Sequence, residues 1–259
     1  MTGEHSVWRI HHRAVTDSTN RDALDGKPYD VFTADLQTAG RGRLDHRWLS
    51  PPGENLMMSA VIDVAGQPPE EVATLPLVVG LAAAETAEAL LTEHGAASPT
   101  TDIRVKWPND VLIDERKACG ILCERKDDRV IAGIGMNVNQ ILFDHAIANR
   151  ATSLLQAKRR EDEKARKPAS QPSPFRFSIP AVRDAVLARV FARLTMWRQD
   201  GFRVLWPQLA ARDFLKGRTV TVRRTDGDAA PVAGLCGGIR ADGALDIAGE
   251  PVFAGEVAW

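Results

Sequence analysis

The apolar, alanine-rich run over residues 69–93 sets the tightest limit on what this chain can fold into. Leu77, Leu81, Ala84 and Leu91 recur near helical spacing, and alanine and glutamate favour helix. His94-Gly95 supplies a stop. Strand-like stretches flank this helix on both sides. Residues 7–15, 30–38 and 55–64 precede it; residues 103–107, 111–113, 117–124 and 129–137 follow. The last three predict an antiparallel meander, with Asp114-Glu115-Arg116 as a three-residue hairpin loop. A second amphipathic helix is predicted over 179–201, from Val182, Val186, Val190, Leu194 and Trp197, with Gly201 as its cap. The expected class is α+β: a mixed or largely antiparallel sheet with helices on one side.

Two segments differ in texture. Residues 157–174 are charged and then rich in Pro and Ser, and are expected to form a mobile surface insertion. From Phe214 onward short strands alternate with turns at Asp226-Gly227, Gly237-Gly238 and Asp242-Gly243. This predicts a small β-barrel, giving domains of 1–213 and 214–259. A unit that small is marginal alone and should pack on the larger one.

With 33 Lys and Arg against 34 Asp and Glu, the chain has no electrostatic footprint for nucleic acid or membrane. The three cysteines, Cys119, Cys123 and Cys236, argue against a disulfide framework and for a reducing, cytoplasmic setting. Cys119, Ile121 and Cys123 should share one face of a strand. No secretory signal is evident at the N-terminus, and no metal-ligand cluster is found.

The stretch TAGRGRLDHRW at 38–48 carries the first chemical signal. Gly40 and Gly42 let the backbone bend and a ligand approach. Arg41 and Arg43 supply planar, permanently charged forks suited to phosphate or carboxylate. Alone, GRGR is equally a solvated turn, DSTN at 17–20 is equally a helix cap, and Asp110 in PND is an ordinary turn residue. Trp107 alone reads as core, Lys117 as a solvated hairpin lysine, and Gly133 and Gly135 as a β-bulge.

Four stretches in order change that balance: DSTN (17–20), QTAGRGR (37–43), KWPND (106–110) with RKACGIL (116–122), and GIGMNVN (133–139). Together with DGAL and AGEV near the C-terminus, they resemble the biotin–protein ligases over most of the chain. The resemblance implies a synthetase-like ligase fold with a small SH3-like C-terminal barrel. It implies a reaction in which biotin's carboxylate attacks the α-phosphate of ATP, and a lysine of a biotin carrier domain then takes the biotinyl group. ATP and Mg²⁺ enter as substrate and activator, with no tightly bound prosthetic group. By resemblance, Ser18, Thr19, Asn20 and Gln37 hold biotin's ureido head. Gly40, Arg41, Gly42 and Arg43 form the loop that orders over the adenylate. Lys117 bridges carboxylate and α-phosphate, and Gly120, Ile121 and Leu122 bed the apolar ring. Trp48, Lys106, Trp107, Asn109 and Asn137 lie on the nucleotide side, and Asp110 orients or deprotonates the acceptor lysine.

The chain departs from the family at Asp45 and His46, where a second glycine–arginine pair is common. That adds a negative charge and exchanges a fixed cation for a titrating one. It begins close to the catalytic domain's first strand, so a ligase without a DNA-binding domain is expected. Family members dimerise through a sheet edge; the sequence locates no such edge. Two rivals remain: a lipoate ligase or octanoyltransferase of the same superfamily, and a non-catalytic biotin-binding paralogue.

Overall fold

The computed structural model describes residues 7–44, 46–94, 101–164, 175–225 and 230–259. In chain order, β1 (Arg9–Thr16) leads into the short α1 (Thr19–Asp22), followed by β2 (Asp30–Gln37) and β3 (Leu56–Asp63). Next come α2 (Pro69–Val72) and α3 (Leu75–Glu93), then β4 (Ile103–Lys106), β5 (Asp110–Ile113), β6 (Arg116–Lys126) and β7 (Arg129–Met136). Three helices follow, α4 (Leu154–Lys164), α5 (Ile179–Asp200) and α6 (Trp206–Ala211). The chain closes with β8 (Thr219–Arg224), β9 (Val232–Ile239), β10 (Leu245–Ile247), β11 (Glu250–Val252) and β12 (Gly255–Ala258).

Seven strands form one mixed sheet in the order β1-β2-β3-β7-β6-β5-β4. Only β1 and β2 run parallel; the other pairs are antiparallel. The predicted meander is present and includes β4. Its tightest turn is two residues rather than three. Asp114 and Glu115 both take positive φ, the left-handed geometry that suits a two-residue hairpin, and Arg116 already pairs with Ile113.

The period-two alternation of strands sorts side chains between two faces. Leu56, Met58, Ala60 and Ile62 of β3 join the main core, as do Val130, Ala132, Ile134 and Met136 of β7. Helix α3 packs on β4, β5 and β6, and α5 packs on α3 and β3. Cys119 and Ile121 enter this core and Cys123 packs against it, on the shared face that their spacing predicts. The helix expected over 69–93 breaks into α2 and α3, with Pro76 in the first turn of α3. Pro69–Glu93 is apolar enough to cross a membrane by composition, but 78% of its most apolar window is buried in the fold.

Two further local expectations are corrected. Residues 157–164 belong to α4 rather than to a mobile loop, because Leu154, Ala157 and Glu161 bury one stripe of it. Residues 165–174 lie outside the described set. Gly237 and Gly238 sit inside β9, where the β9–β10 register shifts, and form no turn. The Asp242-Gly243 turn is present, while Asp226-Gly227 lies outside the described residues.

The C-terminal strands make a five-stranded antiparallel sheet in the order β11-β10-β9-β8-β12. Indole donors from the β4–β5 turn and from α6 tie it to the rest of the fold. Trp107 Nε1 donates to Gly243 O at 3.1 Å, and Trp206 Nε1 to Ile239 O at 2.7 Å. Asp213 accepts from the backbone of Ile239 at 2.7 Å, and Val105 bridges Asp213.

Candidate active site

The face of the sheet opposite α3 and α5 holds a cavity of about 150 Å³ whose floor is made of glycine. Gly120 of β6 and Gly135 of β7 are register partners, and Gly133 lies two residues along. All three line the cavity. Their spacing on regular strands removes the β-bulge reading of GIG. A Cβ on Gly135 would lie 2.5 Å from Trp48 Cε2, and one on Gly120 would lie 3.1 Å from Trp48 Cζ3. A Cβ on Gly133 would overlap Asn20 Oδ1. The glycines are needed for close approach, not for turning.

The polar end is built from α1 and the end of β2. Ser18 occupies the N-cap position of α1, yet its side chain makes no capping bond and is 3% exposed. Thr19 N donates to Gln37 Oε1 at 2.8 Å. Asn20 Nδ2 donates to Glu124 Oε2 at 2.6 Å and to Leu122 O at 3.3 Å. Ser18, Thr19, Asn20 and Gln37 all line the cavity, as do Gly120, Ile121 and Leu122.

The cationic end draws on three separate parts of the chain. Gly42, Arg43 and Trp48 come from the loop, Lys106, Asn109 and Asp110 from the β4–β5 turn, and Lys117 from β6, while Arg41 of the same loop lies nearer the polar end. Lys117 Nζ lies 2.6 Å from Asp110 Oδ1 and 5.8 Å from the centre of the Trp48 ring. Lys106 Nζ lies 3.9 Å from Asp110 Oδ2 and 4.2 Å from the Trp259 ring centre. Burial pulls the Lys106 ammonium below its ordinary range; Asp110 and Glu256 oppose this, while Lys117 and Arg43 add to it. The Arg43 guanidinium is likewise desolvated, and its Nη1 donates to Gly255 O at 3.1 Å. Arg41 Nη1 pairs with Glu124 Oε1 at 3.0 Å.

Three residues expected at the site do not line the cavity. Trp107 is 1% exposed, and its indole bonds the C-terminal sheet, so it is core. Asn137 spends its side-chain amide on Thr152 O at 3.0 Å and Lys117 O at 3.4 Å; it fixes the backbone behind Lys117. Gly40 lies against the Trp48 backbone, whose N donates to Gly40 O at 3.0 Å, and so shapes the loop from behind. Asp45 lies outside the described residues, and His46 Nδ1 stands 3.8 Å from Glu256 Oε1.

Several participants escaped the sequence reading. Met57 lines the cavity, Glu256 and Val257 reach it from β12, and Glu124 links Asn20 to Arg41; Gly133 and Gly135, weighed above as a bulge, line it as well. The alternating glycines of GIG were the visible signal; nothing local marks Glu124 or Glu256. Among the described residues no group of three or more His, Cys, Asp or Glu stands together as metal ligands.

Comparison with known proteins agrees with this geometry. Residues 11–140 match the biotin/lipoate A/B protein ligase family. The chain is 32% identical to a biotin–[acetyl-CoA-carboxylase] ligase of Mycobacterium tuberculosis, over 99% of this chain and 91% of that one. It is 36% identical to a bifunctional ligase/repressor of Escherichia coli, over 55% of this chain and 44% of the relative. Its fold superposes on a biotin protein ligase from Aquifex aeolicus in complex with biotin and ATP, with a TM-score of 0.76 and 27% identity. That match covers 96% of this chain and 97% of the other. A glycine floor, a polar head pocket and converging cations on a fold shared with these enzymes place this chain in the biotin/lipoate A/B protein ligase family, as a biotin–protein ligase.

Proposed function

We propose that the chain couples biotin to ATP as biotinyl-5′-AMP and passes the biotinyl group to a lysine of a biotin carrier domain. One observation carries this reading: Arg43, Lys106 and Lys117 gather at one end of a cavity whose other end is a hydrogen-bonding pocket flanked by the Arg41–Glu124 pair. A carboxylate and a triphosphate repel one another, and preorganised cations offset that repulsion where charge develops. Trp48 Nε1 is buried without a protein hydrogen-bond acceptor, as expected of a donor kept for a ligand.

In the first step a carboxylate oxygen of biotin bonds to the α-phosphorus of ATP, and the bond from that phosphorus to the β-phosphate bridging oxygen breaks. Pyrophosphate leaves with that electron pair. Lys117, on the cavity wall, would bridge the carboxylate and α-phosphate, and the arginine loop would cover the product and limit its hydrolysis. In the second step the amine of the acceptor lysine attacks the acyl carbon. An amide forms, AMP departs from the acyl carbon and the amine loses a proton. Asp110 is engaged with Lys117 and Lys106, so its first task is to orient those cations. Accepting the proton would require it to release Lys117. Magnesium enters as MgATP, part of the substrate, with Asp110 and Glu256 the cavity's carboxylates. The carrier lysine must approach at the mouth, and we place the reaction in the cytoplasm, where ATP and reduced cysteines coexist.

The test is pyrophosphate release from MgATP supplied with biotin, lipoate or octanoate. Release with biotin alone is expected. Release with lipoate or octanoate and not biotin would overturn the substrate assignment, and release with none would favour a non-catalytic binder.

A further inference from the structure

Two lysines share the cationic end of the cavity, and the protein holds them in different ways. Lys117 Nζ lies 2.6 Å from Asp110 Oδ1. Among the described residues no carboxylate oxygen comes nearer than 3.9 Å to Lys106 Nζ, and that nitrogen has no hydrogen-bond acceptor. The Lys106 side chain is nevertheless only 11% exposed. Its close partner is the indole of Trp259, whose ring centre lies 4.2 Å from Nζ.

Trp259 ends a column of rings and cations that joins the two sheets. The Arg218 guanidinium lies 4.0 Å from the centre of the Phe214 ring, and Phe214 meets Trp259 edge-on, with centres 5.5 Å apart. Phe214 is buried, and its N donates to Val105 O at 3.0 Å, one residue before Lys106. The lysine thus comes from β4, while its aromatic platform directly follows β12 of the C-terminal sheet. Trp259 itself is 51% exposed and lies outside the cavity lining, so neither the core nor ligand contact accounts for its place. Arg43 and Lys117 repel Lys106, and something must hold it against them. A carboxylate at contact distance would cancel the ammonium charge and compete with an incoming phosphate. An aromatic face attracts the cation through its quadrupole and leaves the charge intact.

We propose that Trp259 is a positioning residue that holds Lys106 at the cavity with its charge uncancelled, so that this ammonium receives the phosphate chain of the nucleotide. This rests on the ATP-dependent reading given above. Lys106 attracts the phosphates at full charge, whereas Lys117 does so against Asp110. The C-terminal sheet thereby takes part in nucleotide binding through a side chain that acts on another.

The experiment measures pyrophosphate release by the wild type, Trp259→Phe and Trp259→Leu, with biotin and MgATP each varied. Release by the wild type tests the reaction itself; its absence would overturn the function and this role with it. Phenylalanine keeps an aromatic face, and leucine keeps apolar bulk without one. For Trp259→Leu the expected result is a KM for MgATP raised about tenfold, as for one desolvated cation–π contact. Its KM for biotin stays within about twofold. Trp259→Phe is expected to stay within about threefold of the wild type in KM for MgATP. Trp259→Gln, a second non-aromatic change suited to a half-exposed position, should match the leucine variant and carries the test should that variant not fold. With the wild type active, an unchanged KM for MgATP in the non-aromatic variants would overturn the role of Trp259 and leave the reaction standing. A phenylalanine variant no better than leucine, or an equal rise in both KM values, would do the same.

Discussion

Replacing Gly135 by alanine would put a methyl carbon 2.5 Å from Trp48 Cε2 and 2.7 Å from Cζ2. Ordinary carbon contacts lie at about 3.5–4.0 Å, so the indole must retreat by about 1 Å or β7 must shift. Strand β7 is bonded on both sides, to β3 and β6, through continuous registers. Trp48 is held by less, chiefly its backbone bond to Gly40 O and the bridge between Arg41 and Arg47. The loop therefore yields. Overpacking of this kind costs about 1–3 kcal/mol. If the ligand must press the indole back into place, that cost appears as a loss of about 5- to 150-fold in biotin affinity. Because the loop gives way, the melting temperature should move by no more than about 2 °C. Calorimetric titration with biotin, alongside thermal unfolding of the free protein, separates the two effects. A large drop in melting temperature with unchanged affinity would show that β7 moved and the loop held. Unchanged values of both would show that Trp48 does not rest on the glycine floor. The companion Gly120→Ala meets the flexible end of Lys117 at 3.0 Å as well as Trp48, so it should lower kcat in addition to affinity.

Other outcomes follow from particular contacts. Trp107→Phe removes the indole bond to Gly243 O and should cost about 1 kcal/mol of stability in denaturant titration. Its KM for ATP should stay unchanged, and a rise of tenfold or more would return Trp107 to the nucleotide side. Burial pushes the Cys119 and Cys123 thiols up to about 12, the latter with Glu124 adding, so the buried Cys119 should not react with iodoacetamide at pH 8 in the folded protein and the partly exposed Cys123 should react more slowly than a free thiol. The sign for stability follows. In the unfolded chain these thiols ionise near 9, so their contribution is full below that pH and is lost as pH rises from about 9 toward 12. Cys119→Ser and Cys123→Ser variants should show a flatter decline over that window.

The parts of the fold most legible in the sequence were those where one face alone is apolar. Strand alternation in residues 117–124 and 129–137 placed Cys119 and Ile121 inward correctly, and the spacing of Val182, Val186, Val190 and Leu194 gave α5. Helix α4 was hidden because its buried stripe runs through Ala157 and Glu161 in a segment dominated by charge. Lys158 is itself largely covered, with its Nζ paired to Asp162 Oδ2 at 2.8 Å, which charge counting does not register. Within the site, DSTN and GRGR were recognisable because small polar, glycine and arginine residues sit together in sequence. Glu124, Trp259 and Glu256 were not, since each acts through a partner far along the chain: Glu124 on Asn20 and Arg41, Trp259 on Lys106, Glu256 on Arg223. Trp107 misled for the opposite reason. It lies next to a cavity residue in sequence, but the alternation of β4 sends Lys106 to the site and the turn carries its indole into the core.

The central claim is that separate cations gather two anions in one cavity so that they react. Mass spectrometry of the protein mixed with biotin and MgATP tests it most directly, run beside Lys117→Ala. The wild type should carry biotinyl-AMP and release one pyrophosphate for each adenylate formed, with formation slowed by about 10²- to 10³-fold in the variant. A Lys117→Ala protein that folds and makes the adenylate at the wild-type rate would contradict the account.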